Sequence, residues 1–329
     1  MGKSLQACKV LVTPTSYGAS DPALRTQLEN EVGEVVYNTS GKPLASSQLV
    51  KMLKGVDGFI AGLDNIDRAA LDAADKLKVI ARYGVGVDAV DLAAASEKNI
   101  IITNTPGANS GSVAELTIGL MISLLRNIPG AVNATKSGEW TRMRGVSLED
   151  KIVGLIGFGA IGKQVAQKLK GFNCRVVAFD PVADAMIAAD LEVDLLPMEE
   201  VAQIADLLSL HCPVTDDTRN LVNSSFLKRM KPGSYLINTA RGELINENDL
   251  YDAIQSGILN GAALDVFSKQ PPDAGNPLLG LPQVLATPHM GSHTDGATNA
   301  MGWRALNLSL IHISEPTRQL TQSRMPSSA

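Results

Sequence analysis

Short apolar runs alternate with amphipathic stretches over the first hundred residues. The spacing predicts strands at residues 10–12, 35–37, 58–61, 77–81 and 100–103, with helices over 22–32 and 46–53. A strand buried on both sides reads as a continuous apolar run, so this alternation predicts a parallel sheet with helices on both faces. Residues 112–126 read as one long helix, with Ser112 and Glu115 spaced as a capping box. Pro129 marks a break or turn near its end. A polar stretch, 136–150, leads to a second alternating region with strands at 152–156, 176–179, 207–210, 235–238, 262–266 and 284–286. The fold class predicted is α/β, with two such regions in succession.

Composition narrows the function classes. A chain of 329 residues suits about two domains, and 45% hydrophobic with 19% charged residues is that of a globular protein. A net charge of −5 argues against non-specific nucleic-acid binding. The most apolar long stretch, 116–125, falls short of the roughly 20 residues that a membrane span needs. The N-terminus lacks the apolar run of a signal peptide, so the expected location is the cytoplasm, with neither membrane nor nucleic acid as partner. Cys8, Cys174 and Cys212 lie far apart and form neither a disulfide framework nor a CxxC pair. With only four scattered histidines, no metal site is expected. A serine hydrolase is also unsupported, because no GxSxG elbow occurs.

One motif carries chemistry in its context. Gly157-Phe158-Gly159-Ala160-Ile161-Gly162 is GxGxxG, placed after an apolar strand and opening an amphipathic helix. A second strand follows and ends in Asp180, eighteen residues past Gly162. This is the dinucleotide-binding arrangement. Gly157 permits the tight turn, Gly159 lets the backbone approach a pyrophosphate, and Gly162 lets helix and strand pack closely. The helix N-terminus offers unpaired N–H groups and a positive dipole end. A carboxylate at Asp180 accepts hydrogen bonds from a ribose 2′-OH and repels a 2′-phosphate, which selects NAD over NADP as the expected cofactor.

With that motif go Arg82-Tyr83-Gly84-Val85-Gly86-Val87-Asp88, Asn104-Thr105-Pro106-Gly107-Ala108-Asn109, Asn238-Thr239-Ala240-Arg241-Gly242, Leu264-Asp265-Val266-Phe267 and Thr287-Pro288-His289. In this order the segments make the chain resemble the D-isomer-specific 2-hydroxyacid dehydrogenases, most closely their phosphoglycerate-dehydrogenase-like branch, from about Lys9 to Asn307. The resemblance implies two Rossmann-like doubly wound domains with the cofactor domain inserted into the substrate domain and the active cleft between them. It implies a substrate domain over 1–105, an NAD-binding domain over 106–287 and a return helix over 288–308. It also implies a homodimer formed through the cofactor domain.

The same resemblance implies roles for particular residues. Arg241 is the cation that grips the substrate carboxylate, since a guanidinium is permanently charged and can bind bidentately. His289 is the base that exchanges the hydroxyl proton. The family usually places Glu behind this histidine, and here the position is Gln270, followed by Pro271. Glutamine accepts the same hydrogen bond but brings no charge. Formate dehydrogenases of the superfamily also carry Gln-Pro near this point. Ala160 and Ile161 fall on the phosphate loop, Cys212 on the adenosine side, and Thr239 and Ala240 on the nicotinamide pocket. Asp265 resembles the acid that bonds the carboxamide. Gly84, Val85 and Gly86 are expected to offer backbone N–H groups to the substrate. Arg82 is the leading candidate cation for a phosphate, ahead of Arg142 and Arg144. His211 resembles a residue of the nucleotide cleft and is not the base.

The expected reaction is hydride transfer between a small 2-hydroxy acid, 3-phosphoglycerate first, and NAD. One alternative is reduction of glyoxylate, hydroxypyruvate or another 2-oxo acid. The other is a catalytically weak NAD-binding sensor or corepressor-like protein, favoured by Gln270 alone. No regulatory domain is expected after Asn307. Residues 309–329 are atypical. The segment 309–319 resembles a translated sequencing-adapter read-through, so the terminal helix is expected to end near Asn307 and the tail to pack poorly.

Overall fold

A computed structural model of the chain describes residues 4–314. They form two compact units, one of residues 4–109 with 292–314 and one of Ser110–Gly291. The chain crosses between them a few residues beyond 105 and 287, the boundaries expected from the sequence.

The first unit holds strands β1 (Lys9–Val12), β2 (Glu34–Tyr37), β3 (Gly58–Ala61), β4 (Val79–Arg82) and β5 (Ile101–Thr103), and helices α1 (Ala23–Glu31), α2 (Ser46–Met52), α3 (Arg68–Asp72) and α4 (Leu92–Glu97). The strands pair in parallel in the order β2-β1-β3-β4-β5. Successive side chains leave a strand on opposite faces. Leu11, Phe59 and Ile80 therefore pack with Leu49 and Leu71 on one side of the sheet, while Val10, Val12, Ile60 and Val79 pack with Leu24 and Leu28 on the other. Asp67 and Asp91 start α3 and α4 by accepting from the N–H groups of Ala70 and Ala94.

The second unit holds α5 (Ser110–Leu125), α6 (Ile128–Lys136), β6 (Ile152–Ile156), α7 (Ala160–Leu169), β7 (Arg175–Phe179), α8 (Ala185–Asp190), β8 (Val193–Leu195), α9 (Met198–Ile204), β9 (Leu207–Leu210), α10 (Ser224–Leu227), β10 (Ser234–Asn238), α11 (Glu247–Gln255), β11 (Leu259–Leu264) and β12 (Val284–Ala286). Its seven strands are parallel, in the order β12-β11-β10-β9-β6-β7-β8. The direction of winding reverses between β6 and β9, and such a switch point opens a crevice at the carboxyl ends of the strands. Strand β8 escapes a sequence reading because it is three residues long and carries Asp194 at its centre. Pro129 is the second residue of α6 rather than the end of α5, and in the first turn of a helix its missing N–H costs nothing. Ser112 lies inside the first turn of α5 and does not form the expected capping box. Its hydroxyl donates instead to the carbonyl of Gly291, at 2.7 Å. No single helix among the described residues is long and apolar enough to cross a membrane.

The chain returns to the first unit in α12 (Asp295–Ser314). This helix runs past Asn307, and residues 309–314 pack, against the expectation of a loose tail from Ser309. Ser309 and Ile313 are fully buried. Ile313 joins the cluster of Val10, Val12 and Ile60, and its side chain lies directly over Gly58. The Lys78 ammonium donates to the Ile313 carbonyl at 2.8 Å, which ties the last turn of the helix to the sheet. Residues 315–329, the rest of that tail, lie outside the described residues. Ile313→Ala should leave a cavity against Gly58 and lower unfolding free energy by about 2–4 kcal/mol in a denaturant titration. A change below about 0.5 kcal/mol would show that the last turn does not belong to the folded core.

Candidate active site

The phosphate-type turn follows β6 at the switch point. Gly157 has φ +100°, and a Cβ there would meet the Cys212 backbone nitrogen at 2.6 Å. Both the left-handed conformation and the close approach to the end of β9 require glycine. A Cβ on Gly162 would run into the Gly157 carbonyl, so the first turn of α7 can fold back onto β6 only through glycine. Gly159 stands at the N-cap without a capping side chain, followed by Ala160 and Ile161. Asp180, just past β7, accepts from the Phe158 N–H at 2.7 Å and the Val182 N–H at 2.9 Å. The carboxylate is thus fixed beside the glycine turn. A bare helix start, a cradle that a Cβ would fill and an oriented carboxylate together fit a dinucleotide.

At the end of β9, burial draws His211 down to about 4, so its ring is neutral near pH 7. Nε2 pairs with the Ser209 hydroxyl at 2.9 Å. Burial, with a smaller contribution from Asp180, pushes the neighbouring Cys212 thiol up to about 11 and leaves it unreactive as a thiolate. Among the described residues no group of His, Cys, Asp and Glu is arranged to hold a metal ion.

Three neighbouring strand ends carry the side chains expected to be catalytic. Asn238 of β10 pairs in register with Leu264 of β11, and Leu264 with Ala286 of β12. Arg241 follows the first, Gln270 the second and His289 the third. Asn238 is fully buried and shapes the first turn, with its amide donating to the Arg241 carbonyl at 2.8 Å and accepting from the Ala240 N–H at 3.0 Å. Arg241 is half-buried, and its guanidinium donates to the Ala240 carbonyl at 2.7 Å. The Thr239 hydroxyl is occupied by Thr117 of α5, at 2.9 Å.

The structure brings Gln270 and His289 together. Gln270 Oε1 lies 2.6 Å from His289 Nδ1. Gln270 Nε2 donates to the Phe267 carbonyl at 3.0 Å. A carbonyl only accepts, so this bond sets the orientation of the amide and points its oxygen at the imidazole. Nδ1 must then carry a proton, and in the neutral ring the acceptor lone pair is on Nε2.

His289 has φ +52°, a strained conformation for a residue with a Cβ. Asp265 holds the loop in it. One carboxylate oxygen accepts from the Thr287 hydroxyl at 2.6 Å and the Met290 N–H at 2.9 Å, and the other from the Gly291 N–H at 2.9 Å. The His289 N–H donates to the Asp265 carbonyl at 2.9 Å. Asp265, expected to bond a nicotinamide carboxamide, is 1% exposed and already accepts three hydrogen bonds that shape the histidine loop.

The other expected substrate residues belong to the first unit, at the end of β4. Arg82 is 4% exposed, and its guanidinium donates to the carbonyls of Gly62 and Gly86, the latter at 3.1 Å. It braces the loop of Gly84, Val85 and Gly86 from within, so the leading candidate cation for a phosphate is buried and donates to two backbone carbonyls. Gly84 has φ +150°, and the Val85 carbonyl accepts from the Asn104 amide at 2.8 Å. Arg142 and Arg144 are exposed in the segment before β6. Asn238 and Thr117 shape the turns without having been singled out from the sequence. The signal for both is a polar residue closing or interrupting an apolar run.

The family described as D-isomer specific 2-hydroxyacid dehydrogenase, NAD binding domain, matches residues 118–291. The D-3-phosphoglycerate dehydrogenase of Methanocaldococcus jannaschii is 42% identical over 276 residues, covering 83% of this chain and 52% of that protein. The hydroxypyruvate reductase of Thermotoga maritima is 36% identical over 285 residues, covering 84% of this chain and 92% of that protein. The crystal structure of the TT0316 protein from Thermus thermophilus superposes with a TM-score of 0.82 at 35% identity, covering 94% of this chain and 99% of that one. The chain spans about half the length of the phosphoglycerate dehydrogenases that it matches. With the glycine turn, the oriented carboxylate and seven parallel strands in one unit, the chain belongs to the D-isomer-specific 2-hydroxyacid dehydrogenases, and its second unit carries the family's NAD-binding domain.

Proposed function

We propose that the chain is an NAD-dependent dehydrogenase of a small 2-hydroxy acid, acting as a homodimer. The observation that carries this reading is the oriented Gln270–His289 pair on a strand end adjacent to the one that bears Arg241. In the oxidative direction the substrate hydroxyl gives its proton to His289 Nε2, and the Nδ1–H bond to Gln270 holds the ring during the transfer. Arg241 grips the carboxylate and, in the reductive direction, polarises the carbonyl. NAD, when bound, supplies the hydride acceptor or donor. A weak sensor has no evident use for an imidazole held in one tautomer.

Relatives named for 3-phosphoglycerate make it the first candidate substrate. The burial of Arg82, with its donors on two backbone carbonyls, favours a second reading, reduction of hydroxypyruvate or another unphosphorylated 2-oxo acid. Initial rates with 3-phosphoglycerate, glycerate, hydroxypyruvate and glyoxylate decide between them. A preference for 3-phosphoglycerate of about tenfold or more in kcat/KM supports the first, and the reverse preference the second.

Cofactor choice should follow Asp180. Fluorescence titration should give tighter binding of NAD than of NADP, with Asp180→Ala narrowing the gap. Equal affinities in the unmutated protein would refute this role.

Arg241→Ala and Arg241→Lys should both reduce kcat/KM by at least about a hundredfold with NAD binding retained, because an ammonium cannot reproduce the two-pronged grip. Full activity of the Lys variant would remove Arg241 from the substrate site.

Gln270→Glu places a negative charge against imidazolium. A stabilisation of about 1.4 kcal/mol moves a titration by about one unit. Oxidation needs the neutral ring, so the acidic limb of its pH profile should move up by about that amount. Reduction needs imidazolium and should extend to correspondingly higher pH. Superimposable profiles of kcat/KM against pH would mean that Gln270 does not contact the base or that His289 is not the base.

A further inference from the structure

Glu247 is the first residue of α11 and lies outside every role assigned above. One of its carboxylate oxygens accepts from both the backbone N–H and the hydroxyl of Ser268, at 2.8 and 2.7 Å. The other accepts from the Asn276 side-chain amide at 2.6 Å. Ser268 opens the loop that carries Gln270, and Asn276 closes it. A single carboxylate therefore pins both ends of a segment whose residues 268–271 are all exposed and which has no strand pairing of its own. The same loop is pressed from a second side. A Cβ on Gly242 would collide with the backbone of Phe267 and Ser268, so the turn after Arg241 sits flush against the start of the loop. Phe267 is also the residue whose carbonyl orients the Gln270 amide.

We infer that Glu247 is a positioning residue that holds Gln270 against His289 and so sets the tautomer of the imidazole. Without the carboxylate, the Ser268 N–H, the Ser268 hydroxyl and the Asn276 amide lose their common acceptor. The loop is then free to carry the Gln270 oxygen away from Nδ1. The helix itself does not depend on Glu247, because Asn246 caps α11 by accepting from the Asp249 N–H. The role in turnover rests on the dehydrogenase reading, whereas the role in geometry does not, and two readouts separate them.

The first is the imidazole 15N spectrum of the whole chain. The chain has four histidines, so the His289 signals are assigned by comparison with His289→Asn. The unmutated protein should show His289 predominantly as the Nδ1–H tautomer. Glu247→Ala should shift the population toward Nε2–H, as should Gln270→Ala. Glu247→Gln, which still offers one carbonyl oxygen to Ser268, should retain more of the original tautomer. An unchanged His289 spectrum in Glu247→Ala overturns the proposal, even if no hydroxy acid is turned over. Ser268→Ala keeps the backbone donor, removes only the hydroxyl and serves if Glu247→Ala does not fold. It should produce a smaller shift in the same direction, and no shift in a folded Ser268→Ala counts against the proposal.

The second readout is a double-mutant cycle on kcat/KM. Glu247→Ala should cost about tenfold when Gln270 is present and less than about twofold in a Gln270→Ala background, with NAD affinity unchanged in both. Equal losses in the two backgrounds would mean that Glu247 acts independently of Gln270. Absence of turnover in the unmutated protein, with the tautomer shift intact, would refute the dehydrogenase reading and leave the positioning role standing.

Discussion

The register of three parallel strands is the constraint on which the candidate site depends. Asn238, Leu264 and Ala286 pair side by side, so the turns after β10, β11 and β12 emerge together at the carboxyl edge of the sheet. A slip of one residue in any of these strands would exchange its two faces and move its turn by about 3.3 Å. The buried faces hold the register. Leu236, Ala262 and Leu264 pack on one side and Ile237 and Ala263 on the other, all at most 2% exposed. Packing thus determines which side chains can meet, before any of the polar contacts forms.

Polar contacts then refine the geometry of the turns. Asn238 folds the arginine turn, Asp265 holds the histidine loop with His289 at positive φ, and Ser112 ties Gly291 to α5. Each uses a side chain to satisfy backbone groups that strand pairing has released, which is the requirement for buried irregular backbone. Burial does the complementary work at His211. Burial favours the neutral ring there and so sets His211 apart from His289, the proposed base.

Much of this was legible in the sequence because it depends on local pattern. Gly157, Gly162 and Asp180 were readable from spacing, and the structure gives each glycine a steric reason. The approach of Gln270 to His289 followed from the resemblance, whose motifs place both residues after strands. What escaped depends on which partner a side chain finds across the fold. Arg82 looks like a ligand for phosphate until its donors are seen on Gly62 and Gly86, and Ser112 looks like a cap until its hydroxyl is seen on Gly291. Glu247 reads as an ordinary acidic residue at a helix start, and its contacts with Ser268 and Asn276 span 21 and 29 positions. The end of α12 lies past Asn307, which is hard to read because residues 308–314 mix apolar and polar positions without a clear helical period and so conceal that Ser309 and Ile313 lie one turn apart on the buried face.

The activity proposed for these strand ends is direct hydride transfer from the 2-carbon of a D-hydroxy acid to NAD. Its most direct measurement follows deuterium from 2-deuterated D- and L-hydroxy acids into NADH by mass spectrometry. One deuterium per NADH is expected from the D-enantiomer of the accepted acid and none from the L-enantiomer. NADH formed without label, or label arriving equally from both enantiomers, would contradict it.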